Sequence, residues 1–235
     1  MSGRRRRIKG VKLLLLRHGE TEWNAAERYQ GMSNTALSPR GQAQAKAVAA
    51  ALDAETIDRV LCSPLRRAYE TAVTALFTPG RYERHQHLLI MLDRRLCEIS
   101  FGEWEGLTYG EISQLYPDAL QAWLADPLNC APPGGETLTE VATRVGQLLE
   151  ELRAAPAGES ILLVGHGGSL SVLLCLALGI SPDRRWQIGL SHAALSELHL
   201  YPEGAILMRH NDTHHLRFLD RPSARHARRK EARRG

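Results

Sequence analysis

The segment Val11-Lys12-Leu13-Leu14-Leu15-Leu16 ends abruptly in Arg17-His18-Gly19-Glu20. An apolar run of this length is too short for a buried helix and reads as a central strand of a sheet. Gly19 lets the backbone turn sharply where the strand stops. Ligands of open α/β sheets gather beyond the carboxyl ends of the strands. Arg17 and His18 therefore stand side by side where chemistry concentrates. His18 reads as a nucleophile and Arg17 as part of a cradle for an anion.

The remaining chain alternates strands and helices around this run. Thr21–Arg28 reads as a brief helix, and Tyr29–Asn34 as a polar loop. Ser38-Pro39 caps and opens a helix from Pro39 to Leu52. Asp58–Ser63 is a short buried strand, and Ser63-Pro64-Leu65-Arg66-Arg67 starts a helix to Leu76, broken at Thr78-Pro79-Gly80. His87–Leu92 is a third strand. Residues 102–135 form a small helical insertion over the strand ends. Glu136–Arg153 is a helix with a stripe of Leu138, Val141, Val145, Leu148, Leu149 and Leu152. Ser160–Gly165 is a core strand that delivers His166, and a helix follows through Leu178. Ala194–Leu200 and Ala205–Met208 form an antiparallel pair turned at Pro202-Glu203-Gly204. The expected fold is an α/β three-layer sandwich on a mostly parallel central sheet.

Charge separates the ends from the body. Residues 1–9 and 221–235 contribute +5 and +6 to a net charge of +4, which leaves −7 for residues 10–220. The domain is therefore expected over 10–220, between two basic tails that read as solvated ends. Basic tails on an acidic body argue against a fold specific for nucleic acid. No apolar run is long enough to span a membrane. Cys62, Cys97, Cys130 and Cys175 show no metal-ligand spacing, and their scarcity suits a reducing cytoplasm. An edge strand near Leu195–Leu200 would permit a homodimer.

Four pieces occupy equivalent strand-end positions: Arg17-His18-Gly19, Ser63-Pro64-Leu65-Arg66, Leu96-Cys97-Glu98 and Gly165-His166-Gly167-Gly168. A doubly wound sheet would gather Arg17, His18, Arg66 and His166, with Glu98 nearby. Two arginines and two histidines suit a doubly charged phosphoryl group. Arg67 is expected to face solvent or a nearby acid, and Trp104 to belong to the insertion core. His192 precedes a late strand and could face the pocket. His199 and the pair His214-His215 read as strand or turn residues.

In order, these motifs resemble the histidine phosphatase superfamily, also called phosphoglycerate-mutase-like. Leu16–Thr21, Asn24, Leu37–Ala43, Ser63–Ala72, Glu98 ahead of Phe101–Gly106, and Gly165-His166-Gly167 carry the resemblance across most of residues 10–220. It implies that His18 attacks phosphorus and becomes phosphohistidine. Glu98 then gives a proton to the leaving alcohol and later activates water. Arg17, Arg66 and His166 stabilise charge on the equatorial oxygens, a role best suited to a protonated His166. Asn24, Gln30, Gly31 and Gly167 would contact the substrate. The resemblance implies no cofactor and no metal.

The short segment 102–135 and the sequence Ser100–Gly106 look like the phosphatase branch. That branch includes enzymes acting on α-ribazole 5′-phosphate, fructose 2,6-bisphosphate and sugar acids, and broad-specificity phosphatases. The expected activity is hydrolysis of a small phosphorylated metabolite. The alternatives are a phosphoglycerate mutase and, if the site were inactive, a phospholigand-binding module. Ser171 stands where many relatives have an arginine.

Overall fold

The computed structural model describes residues 10–78 and 82–219. Both basic tails and the expected break at Pro79-Gly80 lie outside these residues. Six strands form one sheet: β1 (Val11–Arg17), β2 (Arg59–Cys62), β3 (Ile90–Leu92), β4 (Ser160–Gly165), β5 (Leu195–Tyr201) and β6 (Gly204–Asp212). Their spatial order is β3-β2-β4-β1-β5-β6. The first four run parallel, and β5 is antiparallel to both β1 and β6.

The helices in chain order are α1 (Glu22–Ala25), α2 (Pro39–Leu52), α3 (Arg66–Leu76), α4 (Tyr82–His85), α5 (Tyr109–Leu115), α6 (Pro117–Ala125), α7 (Leu138–Arg153) and α8 (Gly167–Leu178). Side chains of a strand alternate between faces, and the central strands are apolar on both. Leu13 and Leu15 of β1, with Ile161 and Leu163 of β4, pack against α7 and α8. Leu14 and Leu16, with Leu162 and Val164, pack against Val48 and Leu52 of α2 and Ala68 and Ala72 of α3. Two helical layers on one sheet follow, and the continuous leucine run is explained by burial on both sides.

Local chemistry sets the helix starts. Ser38 caps α2, its Oγ accepting from the Gly41 amide at 3.0 Å, with Pro39 as first residue. Thr108 and Thr137 form capping boxes with Glu111 and Glu140 at the starts of α5 and α7. The stripe expected on α7 is buried in full.

Three strand expectations change. β3 is only Ile90–Leu92, at one edge of the sheet. The other edge is β6, so Leu195–Leu200 is interior: β5 lies between β1 and β6. β6 also reaches Asp212, beyond Met208, because bulges between Leu195 and Leu198 carry its pairing further. Among the described residues no helix is long and apolar enough to cross a membrane.

Between β3 and α7 a separate small core forms. Trp104, fully buried, meets Ile112 and Leu120, with Tyr29, Phe101 and Trp123 packed around it. Phe101 and Trp104 each make edge-on contacts with Tyr29 and Trp123. This packing ties residues 101–123 to the loop that follows α1.

Candidate active site

Strand register builds the site. Arg17 pairs with Gly165 across the parallel β1–β4 ladder, so the next residues, His18 and His166, leave the sheet side by side. The His18 amide donates to the Gly165 carbonyl at 3.0 Å, and the two rings lie 5.0 Å apart. On the other side of β4, Ser63 follows β2, and its amide donates to Val164. Its hydroxyl lies 2.7 Å from His166 Nε2.

Gly19 follows the nucleophile candidate for a reason other than a left-handed turn. A side chain there would meet the Gly41 carbonyl at 2.6 Å, and one on Gly41 would meet the Glu20 carbonyl at 1.9 Å. The two glycines let α2 approach the loop closely. The Gly19 amide is held by Thr71 Oγ1 at 3.0 Å.

The tautomer of His18 follows from its partner. Nδ1 lies 2.6 Å from the Gly19 carbonyl oxygen, which only accepts. Nδ1 therefore carries the proton, and Nε2 keeps its lone pair. Burial, then the nearby His166, Arg67, Arg17 and His192, hold the His18 pKa well below its ordinary value. His18 is thus a neutral imidazole at physiological pH, as a nucleophile requires.

His18 borders a cavity of 150 Å³ with Arg17, Asn24, Arg28, Gln30, Gly31, Arg67, Glu98 and Phe101. Arg17 is braced from behind: one terminal nitrogen donates to the Leu190 carbonyl and the other to His192 Nε2 at 2.9 Å. Asn24 Oδ1 accepts from the Thr21 amide and hydroxyl, which leaves the Nδ2 hydrogens for the cavity. Gln30 Oε1 accepts from Thr35. Gly167 lies against the Arg17 guanidinium, 3.3 Å from its Cζ at the position of a Cβ, and does not border the cavity.

The expectation for the second arginine is corrected. Arg66 points away: its side chain is 57% exposed and its Nε pairs with Glu70 at 2.6 Å. Arg67 is fully buried and borders the cavity. Its terminal nitrogens donate to the carbonyls of Ser33 and Gly31 at 2.7 and 2.8 Å, fixing the loop that closes one side. Neighbouring helical residues lie about 100° apart, so only one can face the strand ends. The buried stripe of α3 is Arg67, Ala68, Thr71, Ala72, Ala75 and Leu76, and it selects Arg67. Burial lowers the Arg67 pKa to about 10, which leaves it charged at neutral pH.

Glu98 is placed by backbone contacts. Its oxygens accept from the amides of Ile99 at 2.9 Å and Gly168 at 3.2 Å. A side chain on Gly168 would come within 2.3 Å of Glu98 Oε1 and push the carboxylate from its place. Arg144 of α7 donates to the carbonyls of Arg95, Cys97 and Glu98 and pairs with Glu136. It holds the segment that carries Glu98.

The surroundings of His166 set its charge. Burial, then Arg67, Arg17 and Arg144, keep its pKa well below the ordinary value, so it is neutral here. A dianion beside it would oppose those cations and favour the protonated form. Three buried nitrogens, Arg17 Nε, Arg67 Nε and His166 Nδ1, have no hydrogen-bond partner. Their chemistry fits an anion. Among the described residues no group of three His, Cys, Asp or Glu side chains could hold a metal ion.

Sequence reasoning missed Arg28, which borders the cavity and is anchored by Glu111 at 3.0 Å. It also missed Arg144. Ser171 is buried in α8, its hydroxyl donating to the Gly168 carbonyl at 2.9 Å.

The buried histidines make stability depend on pH. His18, His166 and His192 have lowered pKa values in the fold, that of His192 to about 3. Below their ordinary value of 6.5 the unfolded chain binds more protons than the native one. Their stabilisation is complete above pH 6.5 and is lost as pH falls below it. Each contributes a slope of up to about 1.4 kcal/mol per pH unit. Urea denaturation should show stability falling steadily from pH 6.5 to 5, above the carboxylate range. A flat profile there would contradict the neutral state of these rings.

The comparisons with known proteins agree with this geometry. The family model described as "Histidine phosphatase superfamily (branch 1)" matches residues 13–213. Phosphoserine phosphatase 1 of Hydrogenobacter thermophilus is 34% identical over 206 residues, covering 88% of this chain and 94% of that protein. Among solved structures, a putative α-ribazole-5′-P phosphatase from Escherichia coli superposes with a TM-score of 0.79 at 29% identity, covering 86% of this chain and 97% of that one. A mycobacterial glucosyl-3-phosphoglycerate phosphatase in complex with VO3 superposes with a TM-score of 0.73 at 33% identity, covering 86% and 99%. The chain is an enzyme of branch 1 of the histidine phosphatase superfamily.

Proposed function

We propose that the protein hydrolyses a small phosphomonoester without a metal, through a phosphohistidine on His18. The observation that carries this reading is the locked tautomer: Nδ1 is tied to Gly19, so the lone pair of Nε2 stands beside Arg17 and Arg67 in the small cavity. Nε2 attacks phosphorus as the ester oxygen departs. Arg17 and Arg67 supply charged donors for the equatorial oxygens, and His166 gains its proton as the dianion arrives. Glu98 protonates the departing alcohol, and as a carboxylate it takes a proton from the water that hydrolyses the N–P bond. His18 returns to its neutral form.

The relatives support an alcohol that carries a carboxylate. Phosphoserine and glucosyl-3-phosphoglycerate both bear one near the ester. The test is phosphate release in EDTA from phosphoserine, 3-phosphoglycerate, α-ribazole 5′-phosphate, fructose 2,6-bisphosphate and para-nitrophenyl phosphate. Release that survives EDTA and favours carboxylate-bearing esters is expected. Isomerised phosphoglycerate with no free phosphate would point to a mutase instead.

A further inference from the structure

After α8 the chain forms a 3-10 turn, Pro182–Gln187, that packs on α7 and α8. It carries Arg185, which is half-buried. The Nε of Arg185 is buried without a hydrogen-bond partner, and the guanidinium forms no ion pair among the described residues. Its neighbour Asp183 has one oxygen 3.9 Å from Arg184 Nε. Arg185 borders a cavity of 380 Å³ with Trp123, Leu124, Pro127, Asp183 and Trp186.

The aromatic pair Phe101 and Trp123 links the linings of this cavity and that of His18. Phe101 borders the His18 cavity, and its ring lies 6.3 Å from that of Trp123, which borders the Arg185 cavity. Arg185 also lies within electrostatic reach of Glu98 and Tyr29. A cation withdrawn from water without a fixed partner needs a compensating anion. Asp183 lines the same cavity but makes no ion pair with Arg185, and its own Oδ1 is buried without a hydrogen-bond partner.

We propose that Arg185 binds a carboxylate on the leaving alcohol of the substrate, with the indoles of Trp123 and Trp186 flanking its carbon skeleton. The assignment rests on the phosphatase reading. Glu98 protonates the ester oxygen, and Arg185 lies within electrostatic reach of Glu98, so Arg185 faces the alcohol side of the site. The guanidinium fork matches a carboxylate in two parallel bonds. The apolar walls of Trp123, Leu124, Pro127 and Trp186 beside the Arg185 cation suit a small organic acid, with Asp183 the carboxylate on the lining.

The test is competition against para-nitrophenyl phosphate hydrolysis by two compounds: 3-phosphoglycerate, and glycerol 3-phosphate, which has a hydroxymethyl group in place of the carboxylate. The wild type should bind 3-phosphoglycerate about 10- to 100-fold more tightly, as expected for a charge-assisted pair. Arg185→Gln should bring the ratio of inhibition constants close to one, and Arg185→Lys should keep part of the preference. Circular dichroism reports whether each variant folds. A wild type without preference, or a preference retained in Arg185→Gln, would overturn the assignment. If the wild type showed no turnover of para-nitrophenyl phosphate that depends on His18, the phosphatase reading itself would fall. The two failures are therefore distinct.

Discussion

His18→Ala should abolish phosphate release, with kcat reduced by about 10⁴-fold or more, as for loss of a covalent nucleophile. The fold should survive, because the alanine keeps the strand-end backbone whose amide bonds Gly165. His18 contributes one side-chain hydrogen bond, to the neighbouring Gly19 carbonyl. Removing the ring also removes a group that the unfolded chain protonates below pH 6.5 while the fold keeps it neutral. The variant should therefore unfold at a similar or higher denaturant concentration below pH 6.5. Retained turnover, measured on para-nitrophenyl phosphate, would mean that another group attacks phosphorus.

Arg67→Gln should lower kcat/KM by about 10²- to 10³-fold, the cost of removing a preorganised donor to developing charge. Part of the loss comes through the loop, because Arg67 bonds the carbonyls of both Gly31 and Ser33. Arg66→Gln, one residue away, should change kcat/KM by less than about 3-fold. It removes an exposed i,i+4 pair with Glu70, worth roughly 0.5 kcal/mol or less. Steady-state kinetics on the two variants separates the arginines. Equal losses, or the reverse order, would contradict the helix phase described above.

The difference between Arg66 and Arg67 shows what the sequence makes legible. The strands and helices are readable because their patterns are strong: the leucine run of β1, the Ser38-Pro39 start of α2 and the apolar α8 each point one way. His18 and His166 are readable because each follows directly on a buried strand. The second arginine was misassigned by motif alignment, although the apolar spacing of Ala68, Thr71, Ala72, Ala75 and Leu76 places Arg67 on the buried side. The lowered pKa of His166 is not legible in the sequence for a different reason. Its charge depends on Arg17, Arg67 and Arg144 converging from three elements far apart in sequence, and on complete burial. Arg28 reaches its cavity from a loop and Arg185 from a short 3-10 turn, neither with a periodic apolar pattern, so only the tertiary arrangement reveals them.

The proposed chemistry turns on one covalent bond, between phosphorus and Nε2 of His18. The most direct measurement mixes the enzyme with a turned-over phosphomonoester, quenches in alkali, where phosphohistidine persists, and maps the phosphorylated peptide by mass spectrometry. The account predicts one added phosphoryl group on the peptide containing His18, absent from His18→Ala and unaffected by EDTA. A phosphoryl group on any other residue, or hydrolysis with no phosphorylated intermediate under single-turnover conditions, would contradict it.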